Sequence, residues 1–315
     1  MYKHLFGPVP SRRLGISLGV DLVYHKVCSL DCVYCECGRT TQLTRQRAEY
    51  VPVNEVKEEL DRYFSSNPDP DYITFSGSGE PTLHSGIGTV IDYIKERKNG
   101  VSVAVLTNGT LLSLKEVRQD LMNADLIIPS LDAADTDTLR KINRPCDSID
   151  IHEYIEGIRA MKEEFSGKLW LEILILPGYN DTEHDLLQLK EAAGRIRPDK
   201  IQLNTLDRPG TRASLKAVAP ARLKQIAAFF EFDNIEIIAA YKGKDGRKSL
   251  REDMADSIIE TVQRRPCTLE DLSHILGARP AEISKFLSDL ENRGKITVLR
   301  QERGVFYKAA GTGER

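Results

Sequence analysis

The chain is 315 residues long, with 41% hydrophobic and 29% charged side chains; this balance excludes a disordered chain and fits one large α/β unit plus a small appendage. Its 44 basic and 47 acidic residues leave a net charge of −3, which excludes bulk electrostatic attraction to nucleic acid or anionic membrane, a local patch aside. MYKHLFGPVPSRRLG at the start has no apolar run of signal-peptide length, and no later stretch reaches transmembrane length. The expected location is the cytoplasm, where thiols stay reduced and clustered cysteines point to metal or redox chemistry more than to disulfides.

Short apolar runs alternate with longer amphipathic stretches, as βα units do. The first predicted strand is ISLGVDLV (16–23). It leads into KVCSLDCVYCECG (26–38), which holds four of the six cysteines. Cys28, Cys32 and Cys35 have the spacing C-x3-C-x2-C. Three thiolates on one loop suit three irons of a [4Fe–4S] cube, with the fourth iron left without a ligand from the motif. A structural zinc ion takes four ligands, commonly as two separated pairs. Cys37 is available as a fourth, but a single residue separates it from Cys35, and Cys146 and Cys267 stand alone.

A helix over 54–65 follows, with Asn54 as a simple cap because Lys57 stands where a capping box needs an acid or amide. Strand YITFS (72–76) ends in SGSGEPTL (76–83), whose glycines let backbone approach a ligand closely. After a helix over 86–98, strand VSVAVL (101–106) ends in TNGT. After a helix over 113–122, strand LIIPS (126–130) runs into Ser130, Leu131 and Asp132. A helix over 151–164 precedes strand LWLEILIL (169–176), where Glu172 lies in an apolar run and needs a partner or ligand. PGYND follows, then a helix over 182–195 opened by Asp181 or Thr182. Strand KIQLN (200–204) presents Asn204 before the loop DRPGTR. A helix over 220–231 and strand IEIIAA (235–240) complete the series. Near-continuously apolar strands predict a helix-covered parallel sheet with its active site at the C-terminal strand ends.

The pattern breaks at KGKDGRKSLR (242–251), a polar linker. Three short helices and a hairpin around Glu302, Arg303 and Gly304 follow, and this order resembles a winged-helix domain. The predicted division is a catalytic domain over 1–241, a linker over 242–251, a winged-helix-like domain over 252–309 and a flexible tail over 310–315. Over 252–315 there are ten basic and eleven acidic residues. AEISKFLSDLENR, where a recognition helix would lie, lacks the basic face of a duplex reader. Protein or peptide contact, or substrate positioning, is the favoured role, although Lys295, Arg300, Arg303 and Lys308 suit the hairpin to phosphate.

C-x3-C-x2-C after the first strand of a βα series, with Tyr34 just before the last cysteine, resembles the radical S-adenosylmethionine (radical SAM) superfamily over roughly residues 10–240. The resemblance implies a partial (β/α)6 parallel barrel, a [4Fe–4S] cluster on Cys28, Cys32 and Cys35, and S-adenosylmethionine as cofactor. Ser78-Gly79-Glu80-Pro81 matches a Gly-Gly-Glu-Pro-like turn whose backbone receives the methionine amino group, with Ser78 replacing the first glycine. By similarity, Ser130 and Asp132 are candidates for ribose or substrate contact, Asn108 for a polar contact nearby, Tyr34 for adenine, and Glu172 and Asn204 for ligand contact. Turn and cap roles are the alternative for Asn108, Ser130 and Asp132. Cys37 is expected to be a bystander and Cys146 a buried structural thiol.

FGPVPSRRLGISLGVDLV, CVYCECGRTT and ILPGYND together resemble a subgroup similar to the wybutosine-synthesis enzymes, which rebuild a guanine in tRNA. That likeness does not itself carry the activity. Arg12, Arg13, Arg39, Arg45 and Arg47 are expected near the cluster mouth, on a phosphate or carboxylate or in surface ion pairs. The implied function is reductive cleavage of S-adenosylmethionine to a 5′-deoxyadenosyl radical that takes hydrogen from a substrate, RNA-, peptide- or protein-linked. The resemblance implies a flavodoxin- or ferredoxin-type electron donor. The alternative is an iron–sulfur redox sensor and transcription regulator acting through the winged helix.

Overall fold

A computed structural model describes residues 2–11, 13–147, 149–207, 211–212, 214–238, 254–276, 278, 280–301 and 304–310. Arg12, residues 208–210, the end of the strand predicted at 235–240, the linker 242–251, Glu302, Arg303 and residues 311–315 lie outside the described residues.

The chain opens with an antiparallel pair, β1 (Leu5–Ser11) and β2 (Gly15–Val20). The short strands β3 (Val27–Cys28) and β4 (Gln42–Leu43) then bracket the cysteine loop. Next come α1 (Val53–Ser66), β5 (Tyr72–Phe75), α2 (Ile87–Arg97), β6 (Ser102–Thr107), α3 (Lys115–Asp120), β7 (Leu126–Pro129), α4 (Thr136–Ile142), α5 (Ile151–Glu164) and β8 (Lys168–Leu174). The series closes with α6 (Glu183–Ile196), β9 (Lys200–Asn204), α7 (Pro220–Phe230) and β10 (Ile235–Ile237).

The open eight-stranded sheet has the order β1-β2-β5-β6-β7-β8-β9-β10, and every neighbouring pair is parallel except β1 with β2. Each new strand joins the same edge, so the sheet curls into a partial barrel with its helices outside. In α1 the buried residues Val56, Glu59, Leu60 and Tyr63 recur at helical spacing and form its inner face. Alternate residues such as Ala104, Leu126 and Ile128 point to a smaller apolar cluster with Leu14 and Trp170.

Three local expectations change, and the alternative left open at α6 resolves. β1 was not predicted, because Pro8 and Pro10 interrupt it; an edge strand with a register shift tolerates them. Gly19 makes that edge possible, since a Cβ there would stand 2.0 Å from the Phe6 ring. α4, capped by Asp135, is too short for its periodicity to show in sequence. Helix α1 starts at Val53 after Pro52, so Asn54 lies inside the helix and does not cap it. At α6 the cap is Thr182, in a capping box with Asp185.

The C-terminal part contains α8 (Met254–Arg264), β11 (Cys267–Thr268), α9 (Leu269–Leu276), α10 (Pro280–Asn292), β12 (Ile296–Gln301) and β13 (Gly304–Ala309). The helices pack on the antiparallel sheet β11-β13-β12 around a separate core that includes Ile258, Leu272, Leu287 and Ile296. Helix α9 packs against β1.

The N-terminal segment is clamped by one acid. Glu59, 3% exposed, accepts the backbone N–H groups of Lys3, His4 and Leu5 at 2.8, 2.9 and 3.3 Å. Glu59→Ala leaves those donors without their acceptor, and urea unfolding should show a loss of about 2–3 kcal/mol.

Candidate functional site

The site residues gather at the C-terminal ends of the parallel strands, as the sheet topology requires. Cys28 is buried, and Cys32, Cys35 and Cys37 are half-buried. Three of these sulfurs each receive a nitrogen donor from a different part of the fold. Asn108, after β6, reaches Cys28 Sγ at 3.5 Å. Asn143, after α4, reaches Cys32 Sγ at 3.4 Å. Lys26 places its ammonium 2.8 Å from Cys35 Sγ and 2.9 Å from the Gly38 carbonyl. Cys37 does the opposite and donates to the Gly77 carbonyl at 3.4 Å.

Electrostatics separates the thiols further. Burial pushes Cys28 up to about 12 and raises Cys32 too. The neighbouring Cys37 thiol, and after it the Lys26 charge, hold Cys35 below the usual thiol range against burial. Burial opposes the charge on Lys26, yet the Cys35 thiolate holds its pKa up. Thiols of this kind bind metal by losing their protons. Three thiols on one loop, each with a nitrogen donor, fit three corners of an iron–sulfur cube.

The turn after β5 is braced from both sides. Glu80 is 2% exposed. Its carboxylate accepts from Thr82 N at 3.0 Å, from the hydroxyls of Thr82 and Thr107 at 2.6 Å each, and from Asn108 N at 2.6 Å. Glu80 thus shapes the turn, since both its oxygens are occupied by protein donors. Ser78 donates its N–H and hydroxyl to Asp21 Oδ2 at 2.9 and 2.6 Å. Gly79 touches β3, and a Cβ on it would lie 2.0 Å from the Val27 carbonyl oxygen.

After β7, Asp132 is 2% exposed and joins several elements. It accepts the Tyr34 hydroxyl, Asn143 Nδ2 at 2.8 Å and Leu174 N at 2.9 Å. Burial raises its pKa against those donors. Asn180, from PGYND, donates to the Asp132 carbonyl at 2.8 Å. Ser130 bridges to Glu172 of β8, and its carbonyl lies 2.5 Å from the Tyr154 hydroxyl.

Glu172 has its protein partner, Arg13, which also donates to Gln202 Oε1 at 3.1 Å; Asn204 donates to Glu172 Oε1 at 3.2 Å. Arg13 thus pairs with a carboxylate, one of the roles expected for it. Arg47 is likewise occupied, by Asp120 at 2.5 Å and by the Thr82 and His84 carbonyls. Arg39 is exposed, 3.8 Å from Asp31, and Arg45 is half-buried. Cys146 is half-buried and not fully buried as expected; its N–H donates to the Ser29 carbonyl beside the cysteine loop at 3.0 Å.

Lys26, Asn143 and Asp21 are candidate site residues that the sequence reading missed. Lys26 was visible as a cation two residues before Cys28, and Asp21 as an acid inside an apolar strand. Asn143 left no signal beyond its polar neighbourhood in KINRPC.

An α/β partial barrel with a three-thiol loop at its C-terminal edge defines an enzyme that uses a [4Fe–4S] cluster and S-adenosylmethionine. Residues 22–189 match the family described as the radical SAM superfamily. The chain belongs to that superfamily. A UPF0026 protein of Methanocaldococcus jannaschii is 30% identical over 308 residues, covering 96% of this chain and 94% of its own length. A Brachyspira hyodysenteriae protein named GTPase Obg is 36% identical over 298 residues, covering 93% of this chain; the match spans only 43% of that relative. A solved structure of TYW1 with a lysine–pyruvate adduct bound shares the fold, with a TM-score of 0.50 at 20% identity over 72% of this chain and 75% of that one.

The superfamily match supports radical SAM enzyme chemistry and does not favour the regulator alternative. Enzymes of this class require a reductant. Among the described residues no helix is long and apolar enough to cross a membrane.

Proposed function

We propose that Cys28, Cys32 and Cys35 hold three irons of the cluster and leave the fourth to the amino and carboxylate groups of S-adenosylmethionine. One observation carries this reading: three thiols each receive an N–H donor, while Cys37 beside them acts as a donor itself. Nitrogen donors favour thiolates, and a donating thiol keeps its proton. When bound, the cofactors supply one-electron cleavage of the sulfonium and hydrogen abstraction from substrate.

The chain's own residues orient that chemistry. The Ser78–Gly79 backbone receives the amino group, with Glu80 and Asp21 fixing the turn. Tyr34 packs beside the cluster toward adenine, tethered by Asp132. Asn108 braces Cys28, and Ser130 lines the same strand ends for ribose or substrate. Asn143 Oδ1 is buried without a hydrogen-bond partner, so it accepts from a ligand N–H or O–H. Glu172, paired with Arg13, and Asn204, which donates to Glu172, line the barrel interior where substrate enters.

The substrate is peptide- or protein-linked and is presented by a winged-helix-like domain over 252–309, joined by the linker 242–251 to a catalytic domain over 1–241. Balanced charge over that domain supports this over a tRNA substrate. A flavodoxin- or ferredoxin-type protein donates the electron. Anaerobic reconstitution with iron and sulfide, followed by reduction with S-adenosylmethionine present, should give a brown protein and 5′-deoxyadenosine. A colourless protein, or none of that product, would refute the reading.

Lys26 tunes the cluster. Its charge stabilises the more negative, reduced state, so Lys26→Met should shift the midpoint potential in an electron-paramagnetic-resonance redox titration to more negative values. It should also slow product formation by roughly 10–100-fold, as loss of a ligand's supporting partner does.

A further inference from the structure

The C-terminal unit reaches the cofactor turn through one side chain. Arg264, the last residue of α8, lies with Nη1 3.7 Å from Asp21 Oδ2. Its guanidinium also covers the Phe6 ring of β1, 4.6 Å from the centroid. Asp21, at the end of β2, is 7% exposed. The same Oδ2 accepts both donors of Ser78. Gly77 adopts φ +135°, and a Cβ there would stand 2.5 Å from Asp21 Cγ. The carboxylate therefore fills the space beneath the turn, and only glycine fits beside it.

Burial raises the Asp21 pKa, and the Ser78 donors, then the Arg264 charge, work against that shift. Around this contact lies a cleft of about 720 Å³ between β1, the cysteine loop and the ends of α8 and α9, lined by Phe6, Cys37, Gly77, Glu260 and Arg264. Ser78, the departure from the family's first glycine, thus has a purpose: its hydroxyl gives the turn a second attachment to Asp21. A half-buried arginine placed against a buried carboxylate acts on the groups that the carboxylate holds.

We infer that Arg264 is a positioning residue: it fixes Asp21, Asp21 fixes the Ser78 turn, and the C-terminal unit thereby completes the S-adenosylmethionine site. This rests on the reading that the turn receives the amino group.

The test is equilibrium dialysis of S-adenosylmethionine against the reconstituted full-length protein, with iron and sulfide counted in each variant. Arg264→Met removes the guanidinium from both Asp21 and the Phe6 ring; it should weaken binding about tenfold with the cluster retained. Arg264→Lys should recover affinity to within about threefold of the parent, because the charge is restored without the planar fork. In an Asp21→Asn background Arg264→Met should cost nothing more, since both changes break one chain of contacts. Unchanged affinity in Arg264→Met, or losses that simply multiply, overturns the inference while leaving the proposed function standing. Should Arg264→Met lose its cluster, Asp21→Asn decides: its affinity must fall with the cluster intact, and parental affinity overturns the inference. A parent protein that binds no S-adenosylmethionine would instead refute the underlying reading.

Discussion

Replacing Cys28, Cys32 or Cys35 with alanine will each strip the brown absorption and reduce 5′-deoxyadenosine formation by at least about 10³-fold, the scale of an essential cofactor's contribution. Cys37→Ala will keep both. The four thiols sit within ten residues, so proximity alone does not distinguish them. What does is polarity: Cys28, Cys32 and Cys35 accept from Asn108, Asn143 and Lys26, whereas Cys37 donates to Gly77 O. Iron and sulfide content measured beside the product assay reads this directly. Full cluster content in any of the first three variants would mean that its sulfur is not a ligand.

Gly79→Ala will abolish cofactor binding and destabilise the protein by about 3 kcal/mol, the upper range for forced overpacking. The added Cβ would meet the Val27 carbonyl oxygen at 2.0 Å, the Val23 side chain at 2.8 Å and Val27 C at 2.9 Å. That carbonyl is part of β3 and already accepts Glu80 N at 3.0 Å. Neither side can yield without moving the turn away from the cysteine loop. Gly178→Ala is the control: its φ is +75° but nothing lies within 4 Å of the added Cβ, so only a backbone cost of about 1 kcal/mol applies. Urea unfolding and dialysis of S-adenosylmethionine separate the two variants; equal stabilities would contradict the steric argument.

The parallel strands were legible because each is an apolar run bounded by turn residues, and the cysteine loop was legible because its spacing is a chemical constraint. Glu172 was recognised as needing a partner, but that partner is Arg13, far away in sequence and joined only by the curl of the sheet. Asn143 and Lys26 escaped for a related reason: which amide or ammonium faces which sulfur depends on how α4 and the loop before β3 pack. β1 and α4 were missed on local grounds, the first broken by prolines and the second shorter than two full turns of periodicity. Asn54 looked like a cap because Ser, Thr, Asp and Asn usually serve as one; Pro52 set the helix start instead.

An open iron site is tested most directly by electron–nuclear double resonance on the reduced, reconstituted protein mixed with S-adenosylmethionine whose amino nitrogen is isotopically labelled. The predicted result is a hyperfine coupling from that nitrogen to the cluster, present in the parent and in Cys37→Ala. A cluster spectrum that the cofactor leaves unchanged, or one altered by Cys37→Ala because that sulfur occupies the fourth iron, would contradict it.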